Sequence, residues 1–516
     1  MYRRCSLLLL VVCFGLADLA PAQQAPAQSQ TGRKIACADG FALGFSCGNV
    51  DLSAYLSLAD LNANFANDIW GWTDPETGRE YALVGLRHAV AFVDVTEPVN
   101  PLLVGSLTTH AGATSVWRDM KVYKDHVFVV VDGSGSNGMQ VFDLTQLRAV
   151  VAPPAIFSET AHYDGVAQAH NIAINEATGF AYIVGANEGG RTCGGGLHMV
   201  NIQDPLNPSF AGCFADPFTG RGTGYTHDAQ CVVYHGPDVE HQGKEICFGA
   251  NVTAVSIADV TDKANPVALS WAAYPAVGYA HQGWLTEDHR YYVLNDELDE
   301  LRFPEAVKAT RTLIWDVSDL DDPILHLQHS GEAKSIDHNL YIVGDYVFQA
   351  NYTSGLRILD IGDINNPREV AFFDTVPGSD EQQFSGAWSV YPFFESGTLI
   401  VSSTGEGLFI VEPTNLRLLT ATEPAAAVPA SFVLSSAYPN PFNPRTALTL
   451  TLEQAHPVRV AAYDLLGREV ALLHDGMLSA GDHALTFEAR GLPSGPYLIK
   501  ATGPSAVQTQ IVTLAK

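Results

Sequence analysis

The chain has 516 residues and a formal net charge of −28. A surface that acidic repels polyphosphates, which excludes nucleic acid as the natural partner. The apolar share of 47% is ample for packed cores. The length allows two or three domains, since a single core rarely grows beyond ~250–300 residues outside repeats and barrels.

The N-terminus reads as a secretory signal over residues 1–22. Arg3 and Arg4 form its positive region, Leu7–Ala17 its apolar run, and Ala20-Pro21-Ala22 a small-x-small cleavage site. The run is too short for a bilayer-spanning helix, and no other stretch of ~20 apolar residues occurs, so no span is expected in the mature chain. Cys13 follows Val12, where a lipidation signal wants a small residue. Six cysteines remain after cleavage. An even number in an exported chain predicts disulfides, and the sequence-local pairing is Cys37–Cys47, Cys193–Cys213 and Cys231–Cys247. No CxxC spacing supports a zinc knuckle.

From Tyr81 onward one segment recurs: an apolar strand, a glycine, a second apolar strand ending in Asp, a turn with Asn-Pro, then a third strand. Clear copies are Tyr81–Leu107, Ala181–Phe214, Glu245–Tyr274 and Tyr346–Asp374; degenerate ones are Val127–Leu147, Thr310–Ser330 and Thr398–Asn415. The runs are rich in Val, Ile, Phe and Tyr and are bounded by Gly, Asn, Asp or Pro, which is strand chemistry. A further strand opens each unit, at Asp68–Trp72, Ser115–Asp119, Ala169–Ile172, Thr226–Gln230, Ala280–Trp284, Ile336–Leu340 and Gly386–Val390. Seven starts of four short strands predict an all-β, seven-bladed β-propeller over residues 33–413. The seventh unit lacks a strand after its turn, and Val50–Leu58 is expected to supply it, removing an exposed edge.

Residues 414–430 are rich in Ala, Pro and Thr and read as a linker. Short alternating strands follow over 431–516 and predict a small Ig-like sandwich. Its motifs YPNPFNP (438–444), YDLLGREV (463–470), LSAGDHALTF (478–487) and LPSGPYLIKA (492–501) resemble, in that order, the type A C-terminal sorting domain of the type IX secretion system. That resemblance implies the type IX machinery as a partner, passage through the outer membrane, and release or attachment at the cell surface. Residues 37–413 resemble the LVIVD-repeat proteins, and more closely the choice-of-anchor B family. The repeat cores such as Leu356–Pro367 and the His-containing starts carry the likeness. It implies architecture and address, with no reaction attached.

In a propeller the first strand of each blade lines the central channel. Asp68, Asp119, His170, Asn171, His227, Asp228, Gln230, His281, Gln282, Asp337, His338 and Asn339 are therefore expected to converge there. Histidine with carboxylate suits a divalent metal, calcium or a transition metal, with His170, His227, His281 and His338 as ligands. The other reading is structural: polar inner strands hydrogen-bond across blades, and a repeat copies a structural His as readily as a functional one. Neighbours such as Asp337-His338 and His227-Asp228 point to opposite faces of a strand, so an acid/base dyad must be built between blades. Asp132–Asn137 and Asn295–Glu300 are loose calcium candidates, and Trp70, Trp72, Trp117, Trp284 and Trp388 pack in the core or form a sugar-stacking rim. No GxSxG, HExxH or Walker motif occurs, and no catalytic residue is assigned. The expected function is an exported binding or scaffold module with an unknown extracellular ligand. The alternative is a metal-dependent extracellular hydrolase or lyase working at the channel mouth.

Overall fold

The computed structural model describes residues 28–414 except 111, 113 and 134, residue 416, and residues 432–516 except 436, 453, 464–467 and 503–506. The expected signal over 1–22, nearly all of the 414–430 linker and half of the 463–470 motif lie outside the described residues. The chain divides into two compact units, Met1–Thr420 and Ala421–Lys516. Among the described residues no helix is long and apolar enough to cross a membrane.

The first unit is all-β. Among the described residues, seven sheets of four or more strands follow one another along the chain, antiparallel except where Ala155–Phe157 joins Leu102–Thr108, and open with Ala66–Thr73, Trp117–Tyr123, Asn171–Asn175, Asp228–Val233, Ala280–Leu285, Asn339–Val343 and Ala387–Tyr391. Each continues outward through neighbouring hairpins, as in Ala280–Leu285, Tyr291–Asp296, Arg311–Asp316 and Ile324–Ser330. The inner two or three strands are apolar on both faces because both faces are covered; Glu80–Leu86 is buried at every position. The outermost strands alternate, and Ile324–Ser330 shows every second residue to solvent.

Apolar clusters fill the gaps between successive sheets. Leu83 and Phe92 meet Met120 and Val129; Val130 meets Ile172 and Ile183; Tyr182 meets Cys247; Phe248 meets Leu294; Val293 meets Val347; Phe348 meets Val401. The last gap joins the seventh sheet to the first, with Ile400 and Ile410 against Val84 and Ala91. The seven opening strands likewise neighbour one another in cyclic order, Ala387–Tyr391 lying beside Ala66–Thr73.

The recurring Asp has a local cause. At the end of the third strand the carboxylate accepts the amide two residues on: Asp94 from Thr96, Asp259 from Thr261, Asp316 from Ser318 and Asp360 from Gly362. A second Asp closes the next turn, as Asp262 does for Ala264 and Asn265. These Asx turns set the chain direction before Pro removes a ladder donor.

Val50–Ser57 pairs antiparallel with Gly407–Pro413 as the fourth strand of the seventh sheet. Val50, Leu52, Ala54 and Leu56 are buried there, so the edge is covered as the sequence leads one to expect. The disulfides are Cys37–Cys47, Cys193–Cys213 and Cys231–Cys247, the sequence-local set. The last joins directly opposed residues of adjacent strands.

In the second unit, Phe432–Leu434, Arg445–Leu452 and Gly481–Glu488 form one sheet, and Glu469–Leu478, His456–Tyr463, Gly495–Thr502 and Val507–Leu514 another. Leu448, Leu450, Phe487, Val460, Tyr497 and Ile499 belong to the core they share.

Candidate functional site

The repeat delivers a histidine to the start of four successive inner strands, and the structure brings all four together. The ring centroids of His170 and His227 lie 4.4 Å apart, those of His227 and His281 4.1 Å, and those of His281 and His338 4.3 Å. Two of these rings also lock sheets together. His227 Nδ1 donates to the carbonyl of His281 at 2.8 Å, and His338 Nδ1 donates to that of Trp388 at 2.6 Å. These bonds put the proton on Nδ1 and leave Nε2 with its lone pair, the form that ligates a metal.

Glu297 completes the group. Its Oε2 lies 3.9 Å from His281 Nε2, and its Oε1 lies 3.7 Å from His338 Nε2. One ligand atom from each of the three falls within 4.8 Å of the others. Tyr352 Oη donates to Glu297 Oε1 at 2.8 Å. His281 and His338 are buried, while Glu297 keeps an exposed edge. At the near end of the row Asp132 Oδ2 holds His170 Nδ1 at 2.9 Å, and that pair is also partly open to solvent.

Electrostatics favour neutral rings. Burial pushes His227 and His281 well below the usual imidazole range; His170 and His338 push both further, and His227 also pushes His281, while the bond to the His281 carbonyl acts the other way on His227. Burial brings His338 down to about 3, although its bond to Trp388 acts the other way. Burial lifts Glu297 to about 7, against the Tyr352 bond. A carboxyl flanked by the Nε2 atoms of two neutral imidazoles, of which His338 has its proton fixed on Nδ1 by the Trp388 carbonyl, is a ligand set of the two-histidine, one-carboxylate type.

Sequence reasoning placed all four histidines but missed Glu297, Asp132 and Tyr352 as their partners. These three sit at or just beyond the ends of second strands, across from the histidine-bearing starts; Asp132 pairs in register with Trp117, and Asp296 with Ala280. A polar residue at that point of several repeats was the available signal.

The remaining expected residues do other work. Asp119 Oδ2 accepts the Ile172 amide at 2.8 Å, Gln230 Oε1 that of Leu285 at 2.7 Å, and Gln282 Oε1 that of Leu340 at 2.8 Å; Asn171 Nδ2 donates to the His227 carbonyl at 3.0 Å. Each bond ties one inner strand to the next. Asp68 and Asp119, both buried, and the half-buried Asp228 surround Lys121, whose Nζ meets Asp119 at 2.7 Å. Burial, then Asp119, raises Asp68 well above the carboxylate range, and burial lifts Asp228 to about 7. Burial opposes charge on Lys121, but Asp119 holds it protonated. Asn339 is buried at the start of its strand. Asp337 turns away from the histidines and accepts the amides of Asp296 and Arg311. At the other end of the same strands a cavity of about 560 Å³ is lined by Trp70, Trp284, Tyr341, Tyr391 and Phe393, with Lys121 at its wall.

Residues 436–513 match the family described as the secretion system C-terminal sorting domain. The protein is therefore exported, to the cell surface or the medium, and its tail engages the type IX secretion machinery. No curated protein matches the chain. Among solved structures it is similar to PorZ, described as an essential bacterial surface component of the type-IX secretion system of Porphyromonas gingivalis. Identity is 15%, coverage is 85% of this chain and 58% of that one, and the TM-score is 0.41. The chain thus spans little more than half the length of that structure. It is also similar to a functionally unknown protein from Desulfotomaculum acetoxidans, with 11% identity, 66% and 97% coverage and a TM-score of 0.40.

Proposed function

We propose that the mature protein is a surface-delivered binding module: a seven-bladed β-propeller of the LVIVD, choice-of-anchor B kind, carried out by an Ig-like sorting domain and built around a divalent transition-metal site. The cyclic packing of the seven sheets supports the propeller. His281, Glu297 and His338 are the protein ligands, and the single observation that carries the metal is Glu297 held between two neutral Nε2 atoms. His170, His227 and Asp132 line the approach, so a ligand bound to the ion meets them first.

A second reading, a metal-dependent hydrolase or lyase, rests on the His170–Asp132 pair. A partly exposed imidazole oriented by a carboxylate in the same row is placed to move a proton at a metal-held substrate.

Elemental analysis of mature protein purified without a histidine tag tests the site. One equivalent of zinc, iron or manganese per chain is expected, and the His281→Ala, His338→Ala double variant should lose it. Absence of bound metal, together with no thermal shift on adding Zn²⁺, Mn²⁺ or Co²⁺, sinks the metal reading and leaves the histidines as structural ties between sheets.

A further inference from the structure

One loop carries two kinds of carboxylate. Directly after Tyr291–Asp296 the chain presents Glu297 to the histidines, then turns through Asp299–Arg302 and buries the next two acids. Asp299 and Glu300 have no exposed surface, nor do Asp296 and Asp337. One cation is buried with these four: Arg311, which donates through Nε to Asp299 Oδ2 at 2.7 Å. Arg302, on the same turn, is exposed and donates to the Gly278 carbonyl.

The four acids are not satisfied alike. Asp296 accepts from Tyr274 Oη and from the amides of Gly278, Tyr279 and Leu298, which accounts for both oxygens. Asp337 accepts one amide at each oxygen. Among the described residues, Asp299 Oδ1 and both oxygens of Glu300 have no hydrogen-bond donor. What faces Glu300 is the carboxylates of Asp299 and Asp337. Ligand oxygens of Asp299, Glu300 and Asp337 lie within 4.8 Å of one another. Points on a sphere of ~2.4 Å radius are at most that far apart, and ~2.4 Å is the calcium–oxygen distance.

We propose that Asp299, Glu300 and Asp337 hold a structural calcium ion, with Glu300 free to bind through both oxygens. The chemistry selects a hard cation: every ligand is oxygen, three carboxylates supply the charge, and Arg311 leaves an excess negative charge that burial makes costly to keep uncompensated. Magnesium wants octahedral geometry with several retained waters, which three fully buried carboxylates suit less well.

The position gives the ion a consequence. Asp337 precedes His338, and Asp299 follows Glu297 by two residues, so one ion fixes the backbone beneath two of the three ligands at the histidine pocket. That consequence rests on the transition-metal reading; the calcium site does not.

The mature full chain is dialysed against EGTA, reloaded with Ca²⁺ and desalted. About one calcium per chain should remain, and the melting temperature should be several degrees higher than in EGTA. Tb³⁺ should displace the ion and show luminescence on excitation at the aromatic band, because Tyr274 bonds Asp296 beside the site. Glu300→Gln should lose the calcium and the Tb³⁺ signal, whereas His338→Ala should retain both while losing transition metal. If wild-type protein neither retains calcium nor binds Tb³⁺, and EGTA leaves its melting temperature unchanged, the carboxylates share protons instead and the proposal is overturned. That result would leave metal analysis of the histidine pocket unaffected, so the two readings fail separately.

Discussion

Glu297→Gln separates a metal ligand from a structural carboxylate. The side chain is 16% exposed, and burial lifts it from the ordinary 4.5 to about 7. A raised acid in the folded state binds its proton more tightly than in the unfolded chain. Stability therefore falls as pH rises from 4.5 to 7, and the full penalty stands above 7. A shift of that size corresponds to about 3 kcal/mol. Glutamine removes the charge and keeps an oxygen for Tyr352. Metal-free Glu297→Gln should thus be more stable than wild type by about 3 kcal/mol at pH 8.5, with the gap closing near pH 4. Zn²⁺ at a hundred times its Kd should add about 2.7 kcal/mol to wild type and little to the variant, erasing the lead. Urea unfolding followed by tryptophan fluorescence is the assay, since all seven tryptophans lie between Trp70 and Trp388 and report the first unit. A variant less stable than wild type at both pH values, with or without Zn²⁺, refutes the reasoning, because Glu297 would then be a satisfied structural group.

Other consequences are open to direct measurement. Because His281 and His338 are already neutral, only Glu297 must lose a proton to bind metal, so Zn²⁺ affinity should fall about tenfold per pH unit from 7 to 5; a slope of two or three protons by competition titration would show the histidines titrating normally. Lys121→Met strands the Asp119 carboxylate and should cost about 3–5 kcal/mol in urea melts, most of it recovered by adding Asp119→Asn; no recovery would mean the loss comes from packing over Trp70. Replacing Cys231 and Cys247 by serine opens a 16-residue loop and should cost about 3 kcal/mol by the chain-entropy argument, read as a lower urea midpoint. Removing residues 436–513 should trap the protein inside the envelope; undiminished surface or medium levels by cell fractionation would contradict the tail's role.

Features set by local sequence were legible; those set by contacts between repeats were not. The strand-ending Asp turns, the Cys193–Cys213 and Cys231–Cys247 disulfides and the histidine starts each lie within one repeat, so periodicity exposed them; Cys37–Cys47 lies ahead of the first repeat and followed from sequence proximity alone. Val50–Ser57 was legible for a related reason: a repeat with a missing strand and an unassigned apolar run elsewhere imply each other. Glu297 was hidden because Asn295–Glu300 reads as one acidic turn, whereas the fold sends Glu297 to the histidines and Asp299 and Glu300 to Asp337 in the next repeat. Asp132 was read with the Gly-rich turn after it, and it instead orients His170. Asp337 and His338 are consecutive residues just ahead of Asn339–Val343, yet they part company: one faces the acids, the other the row of rings.

The structural reading of the histidines accounts for part of what is seen. His227 and His338 tie neighbouring strands through Nδ1, and for that purpose an asparagine would serve, as Asn171 does for the His227 carbonyl. The same reading gives no reason for four imidazoles at centroid spacings of 4.1–4.4 Å, an arrangement in which burial and neighbouring rings together hold the His227 and His281 imidazoles neutral. It gives still less reason for Glu297, whose charge burial disfavours and whose two oxygens, with Tyr352 as a donor to one of them, face the Nε2 atoms of His281 and His338. A cation between those atoms turns each of these costs into a bond: it takes the lone pairs, compensates the carboxylate and needs the rings neutral. The strongly acidic protein around it raises the local concentration of cations. The geometry at Glu297, more than the count of histidines, therefore favours a site over a seam.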